Sequence, residues 1–147
     1  MKKLLFLSVL LASLSLCQAQ ATDPLNDVRK VIEASNSIYA DLANKNDGSI
    51  LTRYTADACL FPPNMAPVCG AAAIADFFKS GPKVHVIFSI QHLYGDAKTF
   101  VTEESYYQMT DLQGKAIDDG KVIVVWKKTK DGWKMHRDMF SSNHPLK

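Results

Sequence analysis

The sequence is short of cysteine, of net charge and of long apolar runs. Three cysteines occur in 147 residues, none in a Cys-x-x-Cys pair, and the four histidines are scattered along the chain. That spacing offers no tetrahedral zinc set, so no metal is expected. No glycine-rich loop of the phosphate-cradling kind is present, so no cofactor is implied either. The longest apolar run, Leu4–Leu16, is too short to span a bilayer as a helix. No internal repeat, linker or low-complexity stretch divides the chain. Disorder is excluded by composition, with 47% hydrophobic and 22% charged residues.

What is present begins with a leader. Lys2 and Lys3, the apolar run and then Ala19-Gln20-Ala21 form the pattern of a secretory signal peptide over residues 1–21. Taking those 21 residues from 147 leaves 126, enough for one domain with its own core, over residues 22–147. All 15 acidic residues follow the leader, while two of the 17 basic ones lie within it, so the mature chain is neutral. A neutral chain carries no electrostatic footprint for nucleic acid. The expected location is secreted or periplasmic, with no membrane contact once the leader is removed. Cys17 follows the bulky Leu16, which disfavours lipid attachment. For an exported chain, Cys59 and Cys69 invite a disulfide across the hairpin-like segment centred on Asn64. The alternative is two unpaired thiols packed as small hydrophobes.

Asp23-Pro24 reads as an N-cap with proline at the first helical position. Leu25, Val28, Ile32, Ser35, Tyr39 and Leu42 then mark one face of an amphipathic helix, closed by Asn46-Asp47-Gly48. A short second helix is expected over Ser49–Tyr54 and a third over Ala71–Lys79, with Ile74, Phe77 and Phe78 inward. After Pro82 the period changes to alternation. Lys83–Tyr94, Lys98–Thr110, Lys121–Lys128 and Trp133–Ser141 read as strands, separated by Gly95-Asp96, Asp111–Gly114 and Asp131-Gly132 turns. The class is α+β, with three N-terminal helices packed on a curved antiparallel sheet.

That order of elements, with Tyr-Thr-Ala-Asp-Ala at 54–58, the proline turn, Gly70 and the ending Asp-Gly-Trp-Lys-Met-His-Arg-Asp-Met-Phe-Ser-Ser-Asn at 131–143, resembles the nuclear-transport-factor-2-like superfamily. Within it the chain is similar to the SnoaL-like and ketosteroid-isomerase-like branch, including small secreted bacterial members. The resemblance spans 24–143. It implies a cone-shaped α+β barrel enclosing one apolar pocket, usually in a homodimer. It does not imply one function, because this scaffold hosts isomerases, cyclases, dehydratases and binding domains.

The ketosteroid isomerases use an aspartate base and an oxyanion site of a tyrosine and a protonated aspartate. By the resemblance, Tyr39 matches the tyrosine, but the base position holds Pro62 and the oxyanion aspartate falls at Val122 or Val124. Steroid isomerisation of that kind is therefore not expected. The inward positions of the last strand match His136, Asp138 and Phe140, which would give a histidine and carboxylate for proton transfer beside an aromatic wall. Alternation alone says otherwise: it turns Trp133, Met135 and Met139 inward and leaves His136 and Asp138 outside with Lys134. Glu103, Ser105 and Tyr107 share one face of their strand, and Phe61 and Trp126 are further ligand-binding candidates, Trp126 alternatively a core residue. Lys121 depends on an unsettled register. His85 and His92 have opposite parity in a regular strand, Asp57 reads as an anchor of the hairpin, and His144 lies in the tail. Three functions stand from this reading. The first is an exported binding domain for a small hydrophobic molecule. The second is a cofactor-independent isomerase, dehydratase or cyclase using His136, Asp138 and Tyr39. The third is a dimeric interaction module.

Overall fold

A computed structural model describes residues 23–145, so the expected leader and the site of its removal lie outside the described residues. The first helix, α1 (Pro24–Ser37), starts where the Asp23 carboxylate accepts a hydrogen bond from the Leu25 amide at 3.0 Å. The periodic stretch then breaks at Ile38 and resumes as α2 (Tyr39–Asn44). The expected second helix is instead a 3₁₀ turn, Ser49–Arg53, so of three expected helices only the first and third are α-helical. The reason is local: Gly48 enters at φ 84° and strand pairing takes over at Tyr54, which leaves too few residues for an α-helical ladder.

Strand β1 (Tyr54–Phe61) leads through the proline turn to β2 (Val68–Cys69) and α3 (Ala71–Ser80). The long strands follow as β3 (His85–Gly95), β4 (Phe100–Thr110), β5 (Ala116–Thr129) and β6 (Gly132–Ser142). They form one six-stranded sheet in the order β2-β1-β6-β5-β4-β3. The hairpins are antiparallel as expected, but β1 runs parallel to β6, which corrects the all-antiparallel reading. Cys59 and Cys69 stand opposite each other in the β1–β2 ladder and form the disulfide, with an S–S distance of 2.04 Å.

The helices define the curvature. α3 packs on β1 and β2, α1 and α2 pack towards β3 at the far edge, and α2 also touches α3. Helices that touch each other while reaching both edges of a six-stranded sheet require that sheet to curl around them. Ile32, Ile50, Ile74, Val101 and Trp126, all fully buried, fill the enclosed side. The outward face stays accessible and carries Ile87, Tyr106, Ile123 and Met139. Among the described residues no helix is long and apolar enough to cross a membrane.

Candidate functional site

The site lies on the concave face of β4, β5 and β6, where three inward positions form a row. Glu103 of β4 stands opposite Val124 of β5, and Val124 stands opposite Asp138 of β6. The two carboxyl groups are thus separated by one strand, roughly 10 Å at the backbone. Regular alternation in β4 turns Val101, Glu103, Ser105 and Tyr107 inward together, all at most 3% exposed.

Asp138 reaches the same face by an irregularity. Trp126 pairs with Met135 and Val125 with Arg137, so His136 is an extra residue in a β-bulge. Before the bulge Trp133 and Met135 point inward; after it Asp138 and Phe140 do, while Met139 faces out at 52% exposure. Each sequence reading is therefore correct for half of the strand. The pairing of His136 with Asp138 is not supported: His136 turns to the outside, where its Nδ1 lies 3.0 Å from Thr55 Oγ1 and 3.4 Å from Asp57 Oδ1. Burial and the adjacent Arg137 push its pKa below the usual imidazole value, against the pull of Asp57.

A hydrogen-bond relay ends on Asp138. The Tyr54 hydroxyl donates to Asp138 Oδ2 at 2.6 Å, and the Tyr39 hydroxyl lies 3.2 Å from that of Tyr54. With Tyr54 donating to the carboxylate, Tyr39 donates to Tyr54. Burial raises the pKa of both phenols, reinforced by the negative charge of Asp138, so both remain protonated donors. Burial also raises Asp138 itself, to about 6, with the Tyr54 hydrogen bond pulling it down and the charge of Glu103 pushing it up. Its other oxygen, Oδ1, accepts no hydrogen bond among the described residues, and the residue borders the cavity. Glu103 is held differently. It accepts from Asn36 Nδ2 at 2.8 Å, from Ser105 Oγ at 2.5 Å and from Trp126 Nε1 at 2.7 Å.

Around these carboxyls runs an apolar cavity of about 250 Å³. A single water needs only ~10–15 Å³ on the same kind of measure, so the space suits an organic molecule. Tyr39 builds one wall by meeting Phe78 and Phe88 edge to face, with ring centres 5.9 and 5.5 Å away. Tyr107 and Phe140 meet in the same way across 6.3 Å. Tyr107 fits because its strand partner is Gly120, where the Cβ of any other residue would stand 2.6 Å from the Tyr107 ring. The Tyr107 hydroxyl is committed elsewhere, donating to Asp118 at 2.6 Å.

Several expected positions are corrected by this geometry. Trp126 is fully buried behind Glu103 and does not border the cavity, and Phe61 lies at the end of β1 beside Met139, also off the cavity wall. Lys121 is exposed, opposite Tyr106 and Ser141, because β5 starts at Ala116 rather than at Lys121. A bulge between Ile90 and His92 puts His85 and His92 on the same exposed face, which alternation in a regular strand does not. Val122, Val124, Tyr39, Glu103, Tyr107 and Phe140 do border the cavity. Tyr54, Asn36, Asn44 and Phe88 are site residues that the sequence reading missed; Tyr54 reads there as the end of a helix, where nothing points to a contact with Asp138. Among the described residues no group of three or more His, Cys, Asp or Glu side chains is arranged to hold a metal ion.

No family model and no curated protein matches the sequence. Solved structures do match the fold. The chain is similar to a ketosteroid isomerase-like protein from Erwinia carotovora atroseptica, with 21% identity, TM-score 0.65, and 82% of this chain and 99% of that one covered. It is similar to an NTF2-like protein with a cystatin-like fold from Novosphingobium aromaticivorans at 15% identity and TM-score 0.70, covering 83% and 86%. A nuclear transport factor 2 superfamily protein from Salmonella enterica matches at 15% identity and TM-score 0.68, covering 84% and 96%.

Proposed function

From the nuclear-transport-factor-2-like fold of this chain, we propose that it is an exported binding protein for one small hydrophobic molecule, held in the cavity beside Asp138. One observation carries the reading: an apolar cavity of about 250 Å³ is bordered by a carboxyl group, one of whose oxygens has no protein donor. A closed core would fill that space with side chains, because packing voids cost stability. The leader pattern at 1–21 and the Cys59–Cys69 disulfide support a location outside the cytoplasm. Ile123 and Met139, paired on the outward face, are the centre of a homodimer interface in this reading.

Native mass spectrometry of protein purified from its own host tests the proposal, together with titration by the neutral fluorophore Nile red. A co-purified small molecule, or saturable Nile red binding at one per chain that Ala43→Phe abolishes, is the expected result. No bound molecule and no saturable binding would refute it. A second reading, proton-transfer catalysis, is favoured by one fact: Asp138 has a pKa of about 6 and so exchanges its proton near neutral pH. In that reading Asp138 serves as the acid–base group that Pro62 cannot supply. Turnover of the co-purified molecule that is lost in Asp138→Asn separates catalysis from binding alone.

A further inference from the structure

We infer that the molecule this cavity takes is an organic cation, a hydrophobic amine or quaternary ammonium whose charge sits against Asp138 and the surrounding rings. The inference rests on the ligand-binding reading above and narrows it to one chemical class.

The sign of the cavity comes first. Glu103 and Asp138 border it, and no lysine, arginine or histidine among the described residues does. The direction of the hydrogen bonds comes second. The hydroxyl donors at the wall already point at protein acceptors, Tyr39 at Tyr54 and Tyr107 at Asp118, and Asn36 and Asn44 each give one N–H, to Glu103 and to the Val84 carbonyl. Glu103 already has its three donors. What remains for a ligand is Asp138 Oδ1, on a side chain only 5% exposed. A carboxylate oxygen open to an apolar cavity and without a protein partner calls for a donor, best a charged one. An anion or a simple carbonyl compound would bring only acceptors to two carboxyl groups, with a second amide N–H on Asn36 and on Asn44 as the remaining side-chain donors.

The rings supply the third observation. Tyr39, Phe78, Phe88, Tyr107 and Phe140 border the same space. An ammonium group among aromatic rings gains from their quadrupoles, and the gain grows when water is excluded. Carboxylate and rings together therefore recognise a cation twice, whereas a neutral ligand leaves the Asp138 charge uncompensated.

Protonation gives an independent handle. The groups facing Asp138 are Tyr54 from β1, Tyr39 from α2 and Glu103 from β4, while β5 presents only Val122 and Val124. A cation needs Asp138 ionised, so its affinity should fall as the pH drops below about 6.

The test uses three probes with one skeleton, naphthylmethylamine, naphthylmethanol and naphthoate, titrated calorimetrically into the mature protein. At about pH 7.5 the amine should bind at least about tenfold tighter than the alcohol, with naphthoate weakest. The preference should shrink at about pH 5 and disappear in Asp138→Asn, while the alcohol still binds. Alcohol binding as tight as the amine, or naphthoate binding tightest, overturns the cation assignment and leaves the binding reading intact. Failure of all three probes together with Nile red overturns both. The wild-type comparison and its pH dependence decide the matter even if the variant does not fold.

Discussion

Replacing Asp138 by asparagine should make the protein more stable at neutral pH and change little in acid. The side chain has a pKa of about 6 in the fold, against an ordinary value of 3.8. The folded state therefore binds the proton more tightly than the unfolded chain does. A carboxyl raised in this way contributes fully below about pH 4, and its contribution is lost as the pH rises through about 6. At about 1.4 kcal/mol for each pH unit between the two values, the loss amounts to roughly 3 kcal/mol by pH 8. Asparagine cannot ionise, yet its side-chain oxygen can still accept from Tyr54. Urea denaturation of both proteins between about pH 4 and pH 8 gives the difference directly, and other titrating groups cancel in it. The variant should gain on the wild type by about 3 kcal/mol across that range, less whatever the weaker Tyr54 contact forfeits. A flat difference, or one that grows towards acid, would refute the account of a carboxyl held in an apolar cavity.

Other outcomes follow from the same geometry. Tyr54→Phe removes the donor to Asp138, so the midpoint of the Asp138 transition should move above about 6, as followed by carboxyl-resolved NMR. Glu103→Ala leaves Asn36, Ser105 and Trp126 without their acceptor and should cost at least about 3 kcal/mol, with a shift in tryptophan emission. His136→Ala should leave cavity binding unchanged, since the ring lies outside; a loss of Nile red affinity equal to that of a cavity substitution would contradict the bulge. Reducing Cys59–Cys69, ten positions apart, should lower stability by about 2–3 kcal/mol, and intact mass without reductant should show no alkylated thiol in the mature chain. Ile123→Lys should convert a dimer to monomer in light scattering, and an unchanged mass would remove the outward face from the interface.

The helical stretch from Pro24 and α3 were legible because apolar residues recur at helical spacing, but the break at Ile38 that ends α1 carries no stop signal. Glu103, Ser105 and Tyr107 were legible as one face because β4 alternates without interruption. Asp138 was only half legible. Alternation places it outside, the family resemblance places it inside, and the extra residue at His136 reconciles them; nothing in the local composition marks that residue as a bulge. The parallel contact between β1 and β6 was not legible at all, because pairing across some 80 positions leaves no local periodic trace. Tyr54 was lost with it, because that contact is what sets its hydroxyl beside Asp138.

The bulge in β6 bears on how the chain can change in length. His136 has no partner of its own on β5, since Met135 and Arg137 occupy consecutive pairing positions on either side of it. Excising that one residue would leave Trp126 with Met135 and Val124 with Asp138, so the acid would still face the cavity. A residue inserted between Arg137 and Asp138 has no such slack; it would rotate Met139 inward and carry Asp138 into solvent. Strand β6 therefore tolerates a deletion at one position and almost nowhere else, and shortening it there would strip its own outer side of a histidine while the interior kept its charge.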